Sequence, residues 1–122
     1  TLHTVRPPFN VNSVACDAAY MALNSGADFV SRSRHLNTKG LAQYTAACAS
    51  FSLTLLPSSA NFVCLLFSNI TADDAYKAFL DQGLIIRSLT SFGLPNGIRI
   101  TISTAEHNQR CIDCIASLSS LQ

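Results

Sequence analysis

Residues 98–103 read IRITIS, with apolar and polar side chains in unbroken alternation. A period of two sends successive side chains to opposite faces of a strand. Ile98, Ile100 and Ile102 therefore share one face, and Arg99, Thr101 and Ser103 the other. A sheet with one buried and one polar face accommodates that pattern. Upstream lies FGLPNG (92–97), a turn in which Pro95 and the Asn96-Gly97 pair supply the geometry. Before the turn comes a second apolar segment, LIIRSL (84–89), the next expected strand. Each segment carries one arginine, Arg87 and Arg99, in a chain whose charged residues reach only 12%, about half the ~25% usual for a soluble domain.

The remaining elements follow from local signals. RPPFNVN (6–12) holds two prolines that bar a helix, so it is expected to be extended. Ser13 is the expected N-cap of an Ala-rich helix beginning VACDAAYMAL, which NSGAD ends, Gly26 serving the turn. A longer helix is expected from Asp28 to Ala49. Phe29, Leu36, Tyr44 and Cys48 form its stripe, filled in by Val30, Leu41 and Ala47. Gly40 inside it costs roughly 1 kcal/mol relative to Ala, which marks a bend or a close contact. FSLTLL (51–56) alternates as a strand, and NFVCLLF (61–67) is an almost unbroken apolar run of strand length. Thr71 with Asp74 resembles a capping box for DDAYKAFLDQ, and Gly83 is the expected residue just past that helix. Ser103 with Glu106 repeats the capping pattern before a last helix ending near Leu118. The order α-α-β-β-α-β-β-α describes an α+β fold, a small sheet covered by helices.

Composition narrows the function classes. Apolar residues make up 48% and mean hydropathy is +0.27, so part of the surface is expected to face a partner or another domain. The net charge of +1 gives no field that would draw the whole molecule to nucleic acid or to a membrane. No apolar run approaches the roughly 18–20 residues of a membrane span. TLHTVRPPFN lacks the pattern of a signal peptide and does not begin with Met, so the chain reads as though it begins within a longer protein. Five cysteines, Cys16, Cys48, Cys64, Cys111 and Cys114, form an odd set. Four fall in helical or strand patterns, as expected of buried free thiols in a reducing compartment.

Arginine presents a fork of donors matched to carboxylate or phosphate. Arg99 belongs to a polar face. Arg87 shares its face with Ile85 and Leu89, which sets it apart from an ordinary solvated charge. Two converging forks would hold a dianion, whereas pattern alone favours both arginines simply extending into water, as most do. His107, Cys111 and Cys114 have the spacing to share a helix face but lack a fourth ligand, and Cys111, Ile115 and Leu118 read as core. The CIDC spacing sits in mid-helix, away from the N-terminal position that stabilises a thiolate. Asp73 and Asp74 read as first-turn helix charges. His3 has no evident partner, and His35 falls on the wet face of the long helix. Ser13, Ser58 and Ser59 lack a nucleophile elbow, and no Gly-rich phosphate loop is present.

Six segments in order, RPPFNVNS, SRSRHLNTKGLA, PSSANFV, GLIIRSL, FGLPNGIRITIS and TAEHNQR, resemble the C-terminal part of the histidinol-phosphate aminotransferase family. The resemblance covers essentially the whole chain. It implies a fold type I enzyme dependent on pyridoxal 5'-phosphate, cytoplasmic and homodimeric. Such an enzyme moves an amino group between histidinol phosphate and 2-oxoglutarate in histidine biosynthesis. It also implies that residues 1–12 cross between domains, with Asn10 and Asn12 near the cofactor cleft, and that residues 13–122 form the small domain. Asn10 and Asn12 read equally well as satisfying turn backbone. Arg87 and Arg99 match the family's substrate arginines for the phosphate, Arg99 also serving the carboxylate of the second substrate. With the resemblance included, both are expected to point inward.

The departures limit what the chain can do. The family's Schiff-base lysine and its cofactor-binding aspartate and tyrosine belong to the large domain, which the matched segments do not include. Lys39 and Lys77 fall in helices that correspond to non-catalytic parts. The chain is therefore expected not to transaminate alone, and no catalytic residue, cofactor-binding residue or metal ligand is assigned within it. Ser103 stands where the family usually has glycine. Two competitors differ in kind. One is a non-catalytic module that senses a phosphorylated metabolite. The other is a sister enzyme, an aromatic aminotransferase or a threonine-phosphate decarboxylase.

Overall fold

The structure is a computed structural model that describes residues 9–25 and 27–119. It divides into two compact units, Thr1–Arg34 and His35–Gln122. In the first, helix α1 (Ser13–Asn24) buries none of its residues. Its cap is Asn12, one residue before the expected Ser13: the Asn12 side chain accepts a hydrogen bond from the Ala15 N–H at 2.8 Å. Both residue types cap well, and the backbone of Asn12 has the required extended conformation (φ −77°, ψ 161°). Phe9–Asn12 lies outside regular structure. His3, the first residues of the expected extended segment and the turn residue Gly26 lie outside the described residues.

Helix α2 (Ala27–Ser50) begins in the first unit and ends in the second. The rest follows as β1 (Thr54–Leu55), β2 (Phe62–Leu66), α3 (Ala72–Asp81), β3 (Arg87–Ser88), a 3-10 turn at Thr90–Phe92, β4 (Gly97–Thr101) and α4 (Ala105–Ser119). The element order is the expected one, and the fold is α+β. The four-stranded sheet runs β1-β2-β4-β3, antiparallel throughout. Val63, Leu65, Ile98 and Ile100 line one face of the sheet and meet Tyr44 and Cys48 of α2, Ala72, Ala75 and Phe79 of α3, and Cys114 and Ile115 of α4 in one core. Of the expected stripe on α2, Tyr44 and Cys48 belong to that core, and Leu41 and Ala47 pack against it. Phe29, Val30 and Leu36 remain exposed.

Two expected strands are shorter than their patterns. Phe51–Ser52 is consumed in ending α2: Ser52 adopts a left-handed φ of 55°, and the Leu53 N–H returns to the Cys48 carbonyl at 2.9 Å, the six-to-one bond of a Schellman stop. In LIIRSL only Arg87–Ser88 pairs as a strand, because Leu89 turns inward at the head of the 3-10 turn and is buried. The other signals hold. Thr71 accepts from the Asp74 N–H at 3.1 Å and donates its hydroxyl to the Asp74 carboxylate at 2.7 Å. Gly83 takes φ 70°, with its N–H on the Leu80 carbonyl and that of Leu84 on Phe79. The Ser103–Glu106 box does not form. Thr104 accepts from the His107 N–H at 3.3 Å instead, and the Ser103 N–H donates to the side chain of Asn108 at 2.9 Å.

Candidate anion-binding site

The geometry of the arginines starts from register. Ile98 and Ile100 are fully or nearly fully buried, which pins Arg99 and Thr101 to the opposite face of β4. The antiparallel pairing then sets Arg99 against Arg87 on one side and Cys64 on the other. Residues paired across antiparallel strands point to the same face, so both guanidiniums rise from the face that carries no helix core. Arg99, on the inner strand, is half-buried, and Arg87, on the edge, is exposed.

Each head rests on an aromatic ring. The Arg99 guanidinium carbon lies 5.0 Å from the centre of Phe62, and that of Arg87 lies 5.3 Å from Phe92. Such contacts contribute about 0.5–1 kcal/mol at exposed positions and leave the N–H edges of the fork available. Ile85, Ile86, Arg87, Arg99 and Thr101 line a cavity of 320 Å³. Lys77 pairs with Asp74 at 3.9 Å, and among the described residues neither Arg87 nor Arg99 has a carboxylate partner. Like charges placed directly opposite destabilise a sheet. An anion between them would offset that repulsion and engage both forks.

The arginine face is more apolar than the sequence pattern suggested. NFVCLLF reads as an almost unbroken apolar run, yet its burial alternates, and Phe62, Cys64 and Leu66 stay half-exposed on the arginine side. An unbroken apolar run carries no periodic signal that could have shown this. Burial raises the Cys64 thiol above its ordinary range, while Arg99 beside it acts in the opposite direction. On the other strand, Ile85 lines the cavity with Arg87 as expected, but Leu89 does not share that face.

The other candidates are placed as follows. Asn10 is exposed, and Asn12 uses its side-chain oxygen on the α1 cap; both belong to the N-terminal unit. Cys48, Cys111 and Cys114 are buried, Cys16 is exposed, and all five thiols are free. No group of three or more His, Cys, Asp or Glu among the described residues could hold a metal ion. No helix among them is long and apolar enough to cross a membrane. Ser58 donates to the Phe62 carbonyl at 2.7 Å, a turn contact. His35 is exposed.

The sheet thus has one helix-covered face and a second face that carries Arg87 and Arg99 side by side. The sequence profile of the aminotransferases of class I and II matches residues 1–115. The chain belongs to that family. It is similar to histidinol-phosphate aminotransferase 1 of Mannheimia succiniciproducens, at 38% identity over 97% of this chain and 32% of the relative. Histidinol-phosphate aminotransferase 2 of Ralstonia nicotianae is 43% identical over 95% of this chain and 31% of its own length. The chain thus spans about a third of the curated relatives it matches. Its fold is also that of the histidinol-phosphate aminotransferase of Clostridium acetobutylicum (TM-score 0.78, 20% identity, 99% of this chain and 37% of that one).

Full-length members of the family depend on pyridoxal phosphate. The residues described here do not fit that cofactor's need for an amine at the arginine face. Lys77 lies on α3, largely exposed and paired with Asp74, and α3 packs on the opposite side of the sheet. Lys39 is exposed on α2.

Proposed function

We propose that this chain is the small, substrate-binding domain of a pyridoxal-phosphate aminotransferase that exchanges an amino group between histidinol phosphate and 2-oxoglutarate. Residues 1–12 form its crossing segment. Arg87 and Arg99 bind the phosphate of histidinol phosphate, and Arg99 also receives the carboxylate of the second substrate. The observation that carries this reading is the pairing of Arg87 with Arg99 on the open face of the sheet, over a cavity without a carboxylate partner.

The chemistry of the chain is then recognition and orientation. Two planar forks give a dianionic phosphate a fixed position. The rings of Phe62 and Phe92 hold the forks against rotation. One carboxylate of 2-oxoglutarate, with fewer acceptors than a phosphate, can be satisfied by Arg99 alone. The lysine and the cofactor's electron sink lie outside this chain. The reading includes a homodimeric, cytoplasmic enzyme. The exposed Val14, Tyr20, Met21 and Leu23 of α1 support burial of that helix against further polypeptide.

The test is steady-state kinetics of the intact enzyme with Arg99→Ala. kcat/KM for histidinol phosphate should fall by about a hundredfold or more, the scale of losing charge-assisted hydrogen bonds to a dianion. Adding Arg87→Ala should be less than additive, because both forks serve one anion. Kinetics close to wild type for Arg99→Ala would remove the assigned role.

A further inference from the structure

A second cavity, of 370 Å³, adjoins the arginine pair and shares Ile85 and Thr101 with its lining. Its polar wall is built from two elements. Thr101 and Ser103 come from the end of β4 and the residues just after it, and His107 and Arg110 from α4. Spacing of three on a helix puts His107 and Arg110 on one face. No carboxylate among the described residues lines the cavity.

The donors of this wall are only partly engaged. Arg110 donates one hydrogen bond from Nη2 to the Gln82 carbonyl at 3.1 Å. That bond orients the guanidinium and leaves the rest of its five-donor fork available. The His107 ring has Nδ1 at 3.4 Å from the Ser103 hydroxyl, a contact that does not engage Nε2. The acid nearest Arg110 along the helix, Asp113, is already the acceptor of Gln109 Nε2 at 2.9 Å. Two hydroxyls, an imidazole and a guanidinium thus surround one space from two directions. A flat carboxylate has two oxygens to offer such a set, whereas a tetrahedral oxyanion has more and spreads them in three dimensions.

We propose that this cavity is a second oxyanion site, distinct from the arginine pair, which takes the phosphate group of a small molecule. It stands on Ser103, His107 and Arg110 and does not depend on what the arginine pair binds.

Inorganic phosphate titrated into the isotopically labelled full chain, followed by NMR, tests this. The His107 ring and the Arg110 side chain should show saturable shifts in the millimolar range or tighter. Arg110→Gln should weaken that response by at least about fivefold, the loss expected of one charge-assisted contact. Ser103→Gly leaves the guanidinium and its tie to Gln82 in place, and it too should weaken the response. Arg87→Ala with Arg99→Ala should leave it intact. No saturable shift at His107 and Arg110 overturns the proposal, whatever is seen at Arg99. So does loss of the His107 response in the Arg87→Ala, Arg99→Ala variant, which would make the two cavities one site. Shifts at His107 with none at Arg99 would uphold this site and count against the arginine pair.

Discussion

Gly40→Ala is the substitution for which propensity and packing give opposite answers. In a helix interior, alanine is favoured over glycine by about 1 kcal/mol. A Cβ at Gly40, however, would stand 2.3 Å from Ile102 Cγ2 and 2.8 Å from Asn108 Nδ2, far inside the roughly 3.5–4.0 Å of a favourable contact. Neither neighbour yields easily. Ile102 is β-branched, so its χ1 is stiff, and its N–H is held by the Asn61 carbonyl at 2.8 Å. Asn108 is buried and engaged with Ser103 N–H at 2.9 Å, Gln43 Oε1 at 3.1 Å and the Ser103 carbonyl at 3.2 Å. Overpacking costs about 1–3 kcal/mol, and unmaking a buried amide bond about 1–3 more. Set against the gain in propensity, the expected outcome is a loss of roughly 2–3 kcal/mol. In urea unfolding followed by circular dichroism, the midpoint should fall by roughly 1 M for an m-value of about 1–3 kcal/mol/M. Ile102→Ala in the same background should recover part of the loss, giving a non-additive cycle. A Gly40→Ala chain as stable as the original, or more stable, would refute the packing argument.

The Tyr44 hydroxyl is buried, beside the Cys111 thiol, and makes no hydrogen bond of good geometry among the described residues. Removing a poorly satisfied buried donor is neutral or favourable, so Tyr44→Phe should leave stability unchanged or raise it by up to about 1 kcal/mol. A drop of more than about 1 kcal/mol in the same urea assay would show that the thiol contact is a genuine bond. Burial pushes Cys48 and Cys114 up to about 11 from a reference of 9.0. Between those values the unfolded chain has lost thiol protons that the folded chain keeps. Stability is therefore whole below pH 9 and falls as pH rises toward 11, by up to about 1.4 kcal/mol per pH unit for each thiol. Urea midpoints measured across that window check the sign. A midpoint that holds steady, with Cys48→Ala and Cys114→Ala chains behaving alike, would contradict it.

Much of the architecture was legible because short-range signals governed it. The alternation of IRITIS assigned Ile98 and Ile100 to the core and Arg99 to the opposite face, and the structure agrees. Thr71, Asp74 and Gly83 marked the ends of α3 because caps are made within four or five residues of the chain. Gly40 announced a bend or a close contact, without deciding between them or naming a neighbour; the structure gives the contact, with Ile102 and Asn108. Signals failed where two local solutions were comparable. Asn12 and Ser13 both cap well, and so do Ser103 and Thr104, so residue type alone left the choice open. Ser103 was drawn to Asn108, a residue engaged with α2.

The sequence by itself determined, through the alternation of IRITIS, which face of β4 Arg99 occupies. Only the tertiary structure decided that Arg87 lies across from Arg99, with Cys64 beyond, and that Phe62 and Phe92 carry their heads. The physical reason is that periodicity reports the direction of a side chain relative to its own backbone. Register between strands, in contrast, is set by cores and turns distant in sequence. Here the fully buried Val63, Leu65 and Ile98 lock it, together with the Pro95–Asn96 turn tied to Phe67 and Ala72.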